Sequence, residues 1–301
     1  MKRKTSIESL ILMSFLSLGM HSCSDSTAEN SLEMGMMEPD ESGVEISKEE
    51  IFNLIESSST PVEMALVIKN VDYEFSVDIL LPTDNTEKYN TSYEKAYAMG
   101  AYGADIGFLN IYNKLHVLPD YLMMTRNLAK GLDLDSFFDF QTLLDLSNNI
   151  ENVDMLIQMS TESFNKMEAH LRDQGRDEIS LLIVFGTWLE GTYVLADFAD
   201  KFNDSNMMDR VAEQKNFVIE LNRIFEASTD KYFQLLSEKI QPLANLYKQV
   251  EIEEILNEPT IEEKDGQIII IDNSEVKIHA KDGVLKSITK EIKSLRNNLL
   301  K

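Results

Sequence analysis

Between Ile179 and Ala196 the chain carries a single charged residue, Glu190, among Leu181–Phe185, Trp188, Leu189 and Tyr193–Ala196. A helix over 177–201 is therefore apolar almost all round. In water such a helix is stable only where neighbours cover every side of it, at the centre of a bundle. The rest of the chain has to provide that cover, and most of it reads as helix. Apolar residues spaced three and four apart predict helices over 91–114, 118–130, 135–148, 150–173, 206–227 and 229–256, with Pro242 inside the last. Val153, Leu156, Phe164, Met167 and Leu171 share one face of 150–173, as Met207, Val211, Val218, Leu221 and Phe225 do in 206–227. Asp204 or Ser205 is placed to cap the latter. Upstream, Ser47 and Glu50 spell a capping box for a short helix, and Pro61 suits the first turn of another over 61–70. Residues 71–90 read as irregular.

Near the C-terminus the period changes. Gln267–Ile271 is β-branched, Asp272-Asn273-Ser274 has turn composition, and Val276, Ile278 and Ala280 alternate with polar residues. This predicts one hairpin over about 267–280. An amphipathic helix over 283–300 follows, with Leu285, Ile288, Ile292, Leu295 and Leu299 on its apolar face. Glu251–Glu254 read as a solvated face. The expected fold is mainly α, a multi-helix bundle with one small C-terminal β-hairpin, in a single domain over 46–301.

The N-terminus reads as an export signal. Lys2, Arg3 and Lys4 precede an apolar run from Ile7 to Met20 that is too short for a bilayer-spanning helix, which needs about 20 apolar residues. Residues 1–22 are expected to be a signal peptide. Cys23, the only cysteine, stands just behind this run and ahead of an acidic, serine-rich stretch. A lone cysteine in an exported chain needs a reason, and lipid attachment to the first mature residue supplies one. Met20-His21-Ser22 resembles a lipobox, with His21 the residue that departs from it. The alternative is an ordinary signal peptide followed by a free thiol. Residues 23–45 read as a flexible tether. These features place the protein in the cell envelope, lipid-anchored, in the outer membrane and facing the periplasm or the cell surface.

The formal net charge is −24, and removal of residues 1–22 takes it to about −26. Such a body repels phosphate backbones, so no nucleic-acid partner is expected. The expected contact with membrane is through the lipid alone. With one cysteine no intrachain disulfide is possible, so stability rests on the core.

Helix 91–114 contains the most unusual spelling, Tyr97-Ala-Met-Gly100-Ala-Tyr102-Gly103-Ala-Asp105-Ile-Gly107. Gly100, Gly103 and Gly107 lie on one face, and each costs up to about 1 kcal/mol of helix stability relative to alanine. Close approach of another helix explains them, with Gly186 and Gly191 of the central helix as counterparts; a groove admitting a ligand against bare backbone is the alternative. Asp105 is the only charge between Lys95 and Lys114, and Glu190 has a similar setting. If the two helices cross at their glycines, the two carboxylates meet. Tyr102 and Tyr112 are the nearby hydroxyl donors. A pair of close carboxylates either fixes helix register in a satisfied polar network or provides acid–base or cation-binding chemistry. Other signatures are missing. His116, His170 and His279 have no helical ligand spacing, and the sequence holds no GxSxG, P-loop, GxGxxG or CxxC. No cofactor and no metal site is expected. Asn148, Asn149, Asn152 and Asp154 read as capping residues.

The AYGAD segment at 101–105, the asparagine-rich start of helix 150–173, the GTWLEG segment at 186–191 and the terminal Leu295-Arg296-Asn297 resemble those of a group of uncharacterised helical lipoproteins of Bacteroidota-type bacteria. The resemblance covers most of 90–300. The acidic start after Cys23 resembles the surface-export signal of that group. The resemblance implies location and fold, and it carries over no catalytic residue. Two functions follow as expectations. The first is a non-enzymatic, lipid-tethered scaffold or binding module with another envelope protein as partner. The second is an envelope enzyme, small-ligand binder or cation binder using Asp105 and Glu190.

Replacing Cys23 with Ser is expected to release the protein from the membrane fraction or to block its maturation, and to abolish incorporation of labelled palmitate. Unchanged fractionation together with an unlabelled wild type removes the lipoprotein reading.

Overall fold

The computed structural model describes residues 48–56, 74–84, 88–147, 153–255, 257, 260–264, 267–271 and 275–300. These fall in one unit, Gly43–Lys301. The signal peptide, Cys23, the tether, helix 61–70, Ser47, Asn148, Asn149, Asn152 and the 272–274 turn lie outside the described residues. The helices are α1 (Lys48–Glu56), α2 (Ser92–Ile111), α3 (Leu118–Lys130), α4 (Phe140–Ser147), α5 (Val153–Asp173), α6 (Asp177–Phe202), α7 (Ser205–Ala212), α8 (Lys215–Ala227), α9 (Lys231–Tyr247) and α10 (Val284–Leu300). Short 3-10 turns occupy Val77–Ile79 and Asp135–Phe137. The fold is mainly α with a small antiparallel β element near the C-terminus.

α6 is the central helix. It is buried on all sides from Ile179 to Ala196. It is long and apolar enough to cross a membrane by length and composition, yet protein covers it throughout. Its neighbours are α2, α10, α7, α1 and α5, and the largest helix–helix interface is α2 on α6. α8 and α9 pack on each other, and α9 also lies against α10. Local chemistry sets the ends. Thr91 and Glu94 form a full capping box at the start of α2. Asn203, in the left-handed region at φ 51°, ends α6. Asp204 then accepts from the N–H groups of Asn206 and Met207 at 2.8 and 3.1 Å and starts α7.

The interface of α2 with α6 depends on two glycines. A Cβ on Gly100 would overlap the carbonyl oxygen of Ile183, and a Cβ on Gly186 would overlap that of Tyr97. Each glycine therefore lies against the other helix's backbone, and Thr187 Oγ1 closes the contact by donating to the Gly100 carbonyl at 3.2 Å. Gly103 does not share this role: a Cβ there meets nothing within 4 Å. The shared face expected for Gly100, Gly103 and Gly107 is thus divided. Gly107 and Gly191 are buried.

Four expected elements differ in the structure. The stretch 206–227 is two helices, broken at Glu213-Gln214. Both of these residues keep right-handed helical torsions, and Gln214 Oε1 accepts from Trp188 Nε1 at 3.2 Å. With no glycine or proline at the break, the apolar spacing runs through it. Helix 135–148 begins as a 3-10 turn and becomes α-helical only at Phe140. The last long helix ends at Tyr247, and the residues after it form a strand. β1 (Val250–Ile255) pairs antiparallel with β4 (Glu275–Ala280), and β2 (Thr260–Lys264) with β3 (Gln267–Ile271). Gln267–Ile271 and the alternating stretch after it are strands as expected, but they pair with upstream partners, not with each other. Those partners are rich in glutamate, which masks a strand pattern when composition is read. Val250 is buried and Ile252 and Ile278 pack against the core, which holds the β1–β4 ladder to the helices.

Gly100→Ala and Gly186→Ala are each expected to destabilise the fold by about 2–3 kcal/mol or more, because a backbone must move. Gly103→Ala is expected to stabilise it by about 0.5–1 kcal/mol, since the helix gains propensity and nothing is crowded. Chemical denaturation of the three variants measures this; equal effects at all three positions contradict the assigned crossing.

Candidate functional site

Asp105 stands five positions after Gly100 on α2, and Glu190 four positions after Gly186 on α6. The glycine crossing brings them together in the core, where both are 0% exposed. A third residue joins them. Arg296 of α10 is also 0% exposed and makes a bidentate pair with Glu190, Nε to Oε2 at 2.8 Å and Nη2 to Oε1 at 2.7 Å. Nη2 also donates to the Ile79 carbonyl at 3.2 Å, and the guanidinium lies over the Tyr193 ring, 4.2 Å from its centroid. Burial works against the charge of Arg296. The hydrogen bonds and negative charge of Glu190 outweigh it and hold the guanidinium's pKa above its ordinary value.

Asp105 is the member whose charge is disfavoured. Burial and then the charge of Glu190 push its pKa well above the ordinary 3.8, against the Leu81 N–H and the charge of Arg296. Oδ2 accepts the Leu81 N–H at 3.0 Å. Oδ1 is buried with no donor facing it, as befits the oxygen that carries the acid's own proton. The carboxyl group of Glu190 lies close enough to Asp105 to disfavour its charge. Asp105 is thus bonded to the Leu81 N–H beside the ion pair of Glu190 with Arg296, and its own charge is disfavoured there.

Tyrosines complete the network through backbone carbonyls. Tyr102 donates to Pro82 O at 2.6 Å and Tyr121 to Leu81 O at 2.8 Å. Tyr89 and Tyr97 donate to the last carbonyls of α10, those of Leu300 and Leu299, at 3.0 and 3.4 Å. Burial pushes the Tyr89 hydroxyl up to about 12, which keeps its proton at physiological pH. In residues 79–82, the Ile79, Leu81 and Pro82 carbonyls and the Leu81 N–H are thus satisfied by the side chains of Arg296, Tyr121, Tyr102 and Asp105, while the Ile79 and Leu80 N–H groups bond to the Ser76 and Val77 carbonyls. Tyr112 sits elsewhere, at the C-cap of α2, stacked on Phe75 with centroids 4.4 Å apart. Asp105, Glu190 and Tyr102 therefore belong to one network, and Tyr112 belongs to an aromatic stack.

Arg296 was not among the residues singled out from the sequence. Its position carried the signal: it lies four residues after Ile292 and eight after Ile288, on the stripe that faces the core. An arginine on such a stripe requires a buried counter-charge, and only Asp105 and Glu190 have comparably apolar surroundings.

Among the described residues no group of three or more His, Cys, Asp or Glu side chains is placed to hold a metal ion. Compared with protein-family models, curated proteins and solved structures, the chain gives no match to any.

Glu190→Gln is expected to lower stability by about 3–5 kcal/mol, because Arg296 loses its charged partner in a buried position. Asp105→Asn is expected to act differently. Its amide oxygen can accept from Leu81 and its NH₂ can donate to Glu190, so the network is kept without a proton. In the wild type the folded state holds a proton that the unfolded chain releases above about pH 3.8. Stability is therefore lost as pH rises above that value, by up to ~1.4 kcal/mol per pH unit until the folded acid itself ionises. Asp105→Asn should match the wild type near pH 3.8 and gain on it progressively toward neutral pH. Denaturant titrations at several pH values measure the gap; one that does not grow with pH means that Asp105 is ionised in the fold.

Proposed function

We propose that the chain is a non-enzymatic protein of the cell envelope, tethered by lipid at Cys23. Its helical body acts as a scaffold or binding module for another envelope protein. The tether reading rests on the basic start, the short apolar run and the lone cysteine behind it. It places the body at the outer membrane, on the periplasmic side or the cell surface. The acidity of the body fits a protein partner and disfavours nucleic acid.

One observation supports the non-enzymatic reading above the others. The two carboxylates that offered the best chemistry are fully buried and committed to Arg296 and the Leu81 backbone. A general acid, a nucleophile or a cation ligand has to reach its substrate or ion. Asp105 and Glu190 reach only protein atoms, and what they accomplish is to join α2, α6, α10 and the segment around Leu81.

The test is reversible crosslinking of the full-length protein in intact envelopes, followed by capture and identification of its partners, with Asp105→Asn beside the wild type. The expected result is membrane localisation and the same captured protein for both. A variant that melts at least as high as the wild type but loses its partner, or loses an activity found in the wild type, shows that the carboxylate is functional and overturns the reading.

A further inference from the structure

A second group of polar side chains lies beyond the buried network, where the start of α2 meets α9 and the end of α10. A cavity of about 290 Å³ opens there, lined among others by Lys88, Tyr97, Tyr232, Leu235, Lys239 and Asn298. This volume is close to the lower end of small-ligand sites, which begin at about 300 Å³. Lys88 is its unusual member. The ammonium is buried and has no hydrogen-bond partner among the described residues. Its nearest support is the face of Tyr89, 5.7 Å from the ring centroid. Burial lowers its pKa, and the positive charge of Arg296 lowers it further. The neighbouring network offers little compensation, because Glu190 is matched by Arg296 and the charge of Asp105 is disfavoured by burial and by Glu190. Glu94, also on the cavity wall, is engaged with the N–H groups of Asn90 and Thr91. Among the described residues Lys88 thus has no hydrogen-bonding or ion-pairing partner, and a second lysine, Lys239, lines the same cavity together with the ionised Glu94.

We infer that this cavity binds a small organic monoanion, a carboxylate on an apolar body, with Lys88 as the principal charge partner. Leu235, Leu236 and the tyrosine rings provide apolar wall for the body of the acid. The Tyr97 and Tyr232 hydroxyls, which lie within reach of each other, provide polar wall. A single negative charge fits better than a phosphate dianion. The cavity sits at the C-terminal end of α10, where the helix dipole is negative, and phosphate sites favour helix N-termini. The flexible lysine stem lets the ammonium turn from Tyr89 to an entering carboxylate. The inference needs neither the lipid anchor nor a protein partner, so it stands or falls apart from the envelope reading.

The experiment titrates the full-length protein with benzoate and with hexanoate, reading binding heat and melting temperature. Benzamide, which has the ring without the charge, and inorganic phosphate serve as comparators. At least one of the two acids should bind saturably and raise the melting temperature. Benzamide should bind at least tenfold more weakly than benzoate, and phosphate should leave the melting temperature unchanged. Lys88→Met should lose at least tenfold in affinity for the acid. It should also melt no lower than the wild type without ligand, since it removes an uncompensated buried charge. Lys239→Met, at an exposed position, should lose a few-fold. Absence of saturable binding by both acids overturns the proposal, as does equal binding of benzoate and benzamide or unchanged affinity in Lys88→Met. A Lys88→Met protein that melts well below the wild type means that the ammonium already has a counter-charge in the chain, and that result overturns it too.

Discussion

Arg296 is an arginine with no exposed surface in a chain that cannot form an intrachain disulfide. Taking a guanidinium out of water is expensive, and the attraction of one carboxylate offsets this only when the geometry is good and the remaining donors are satisfied. Both conditions are met. Glu190 accepts two parallel bonds, Ile79 accepts another, and Tyr193 covers one face of the guanidinium. The consequence is topological. Arg296 lies 106 residues beyond Glu190 in the chain, and 217 beyond Ile79. A single side chain fixes all three in one register. Apolar residues of similar volume could fill the same space, but they would leave the Ile79 carbonyl without its donor.

The meeting of Asp105 with Glu190 presupposes the close approach of α2 and α6. With alanine at Gly100 or Gly186 the helices would stand further apart, and Asp105 and Glu190 would separate. Each carboxylate follows its glycine by about one turn, so the residues that permit contact and those that exploit it share one local stretch on each helix. That spacing explains why α2 tolerates the helix-weakening effect of glycine at position 100. It does not explain Gly103, beside which there is room for a side chain.

The legible parts of this fold were those where one physical signal acts alone. The all-round apolar character of 177–201 placed α6 at the centre, and Asp204 ahead of α7 marked an end by local chemistry. The missed parts were those where tertiary context overrides a local pattern. Gln214 breaks a continuous apolar stripe because Trp188 holds its side chain. Val250–Ile255 carries three glutamates and still forms a strand, because Val250 and Ile252 alternate toward the core and β4 supplies the ladder. In the candidate site, Asp105 and Glu190 stood out as charges in apolar surroundings. Arg296 did not, because the charged residues around it in α10 disguise the face on which it lies.

The polar network also decides how charge is distributed near the surface. Had Asp105 been ionised, the core would hold one more negative charge than Arg296 balances, and Lys88 would have a natural counterpart nearby. Desolvation and the proximity of Glu190 disfavour the charge on Asp105, so the network offers Lys88 little negative charge, and Arg296 acts on it unfavourably. The acidity of the chain does not fill the gap, because exposed carboxylates more than about 8–10 Å away are screened by salt. The one acidic side chain on that cavity's wall for which a role is defined, Glu94, is committed to the backbone at the start of α2. An acidic protein can therefore retain a buried ammonium without an ion-pair partner at a cavity wall, and the disfavoured charge of a buried aspartate in the neighbouring core contributes to it.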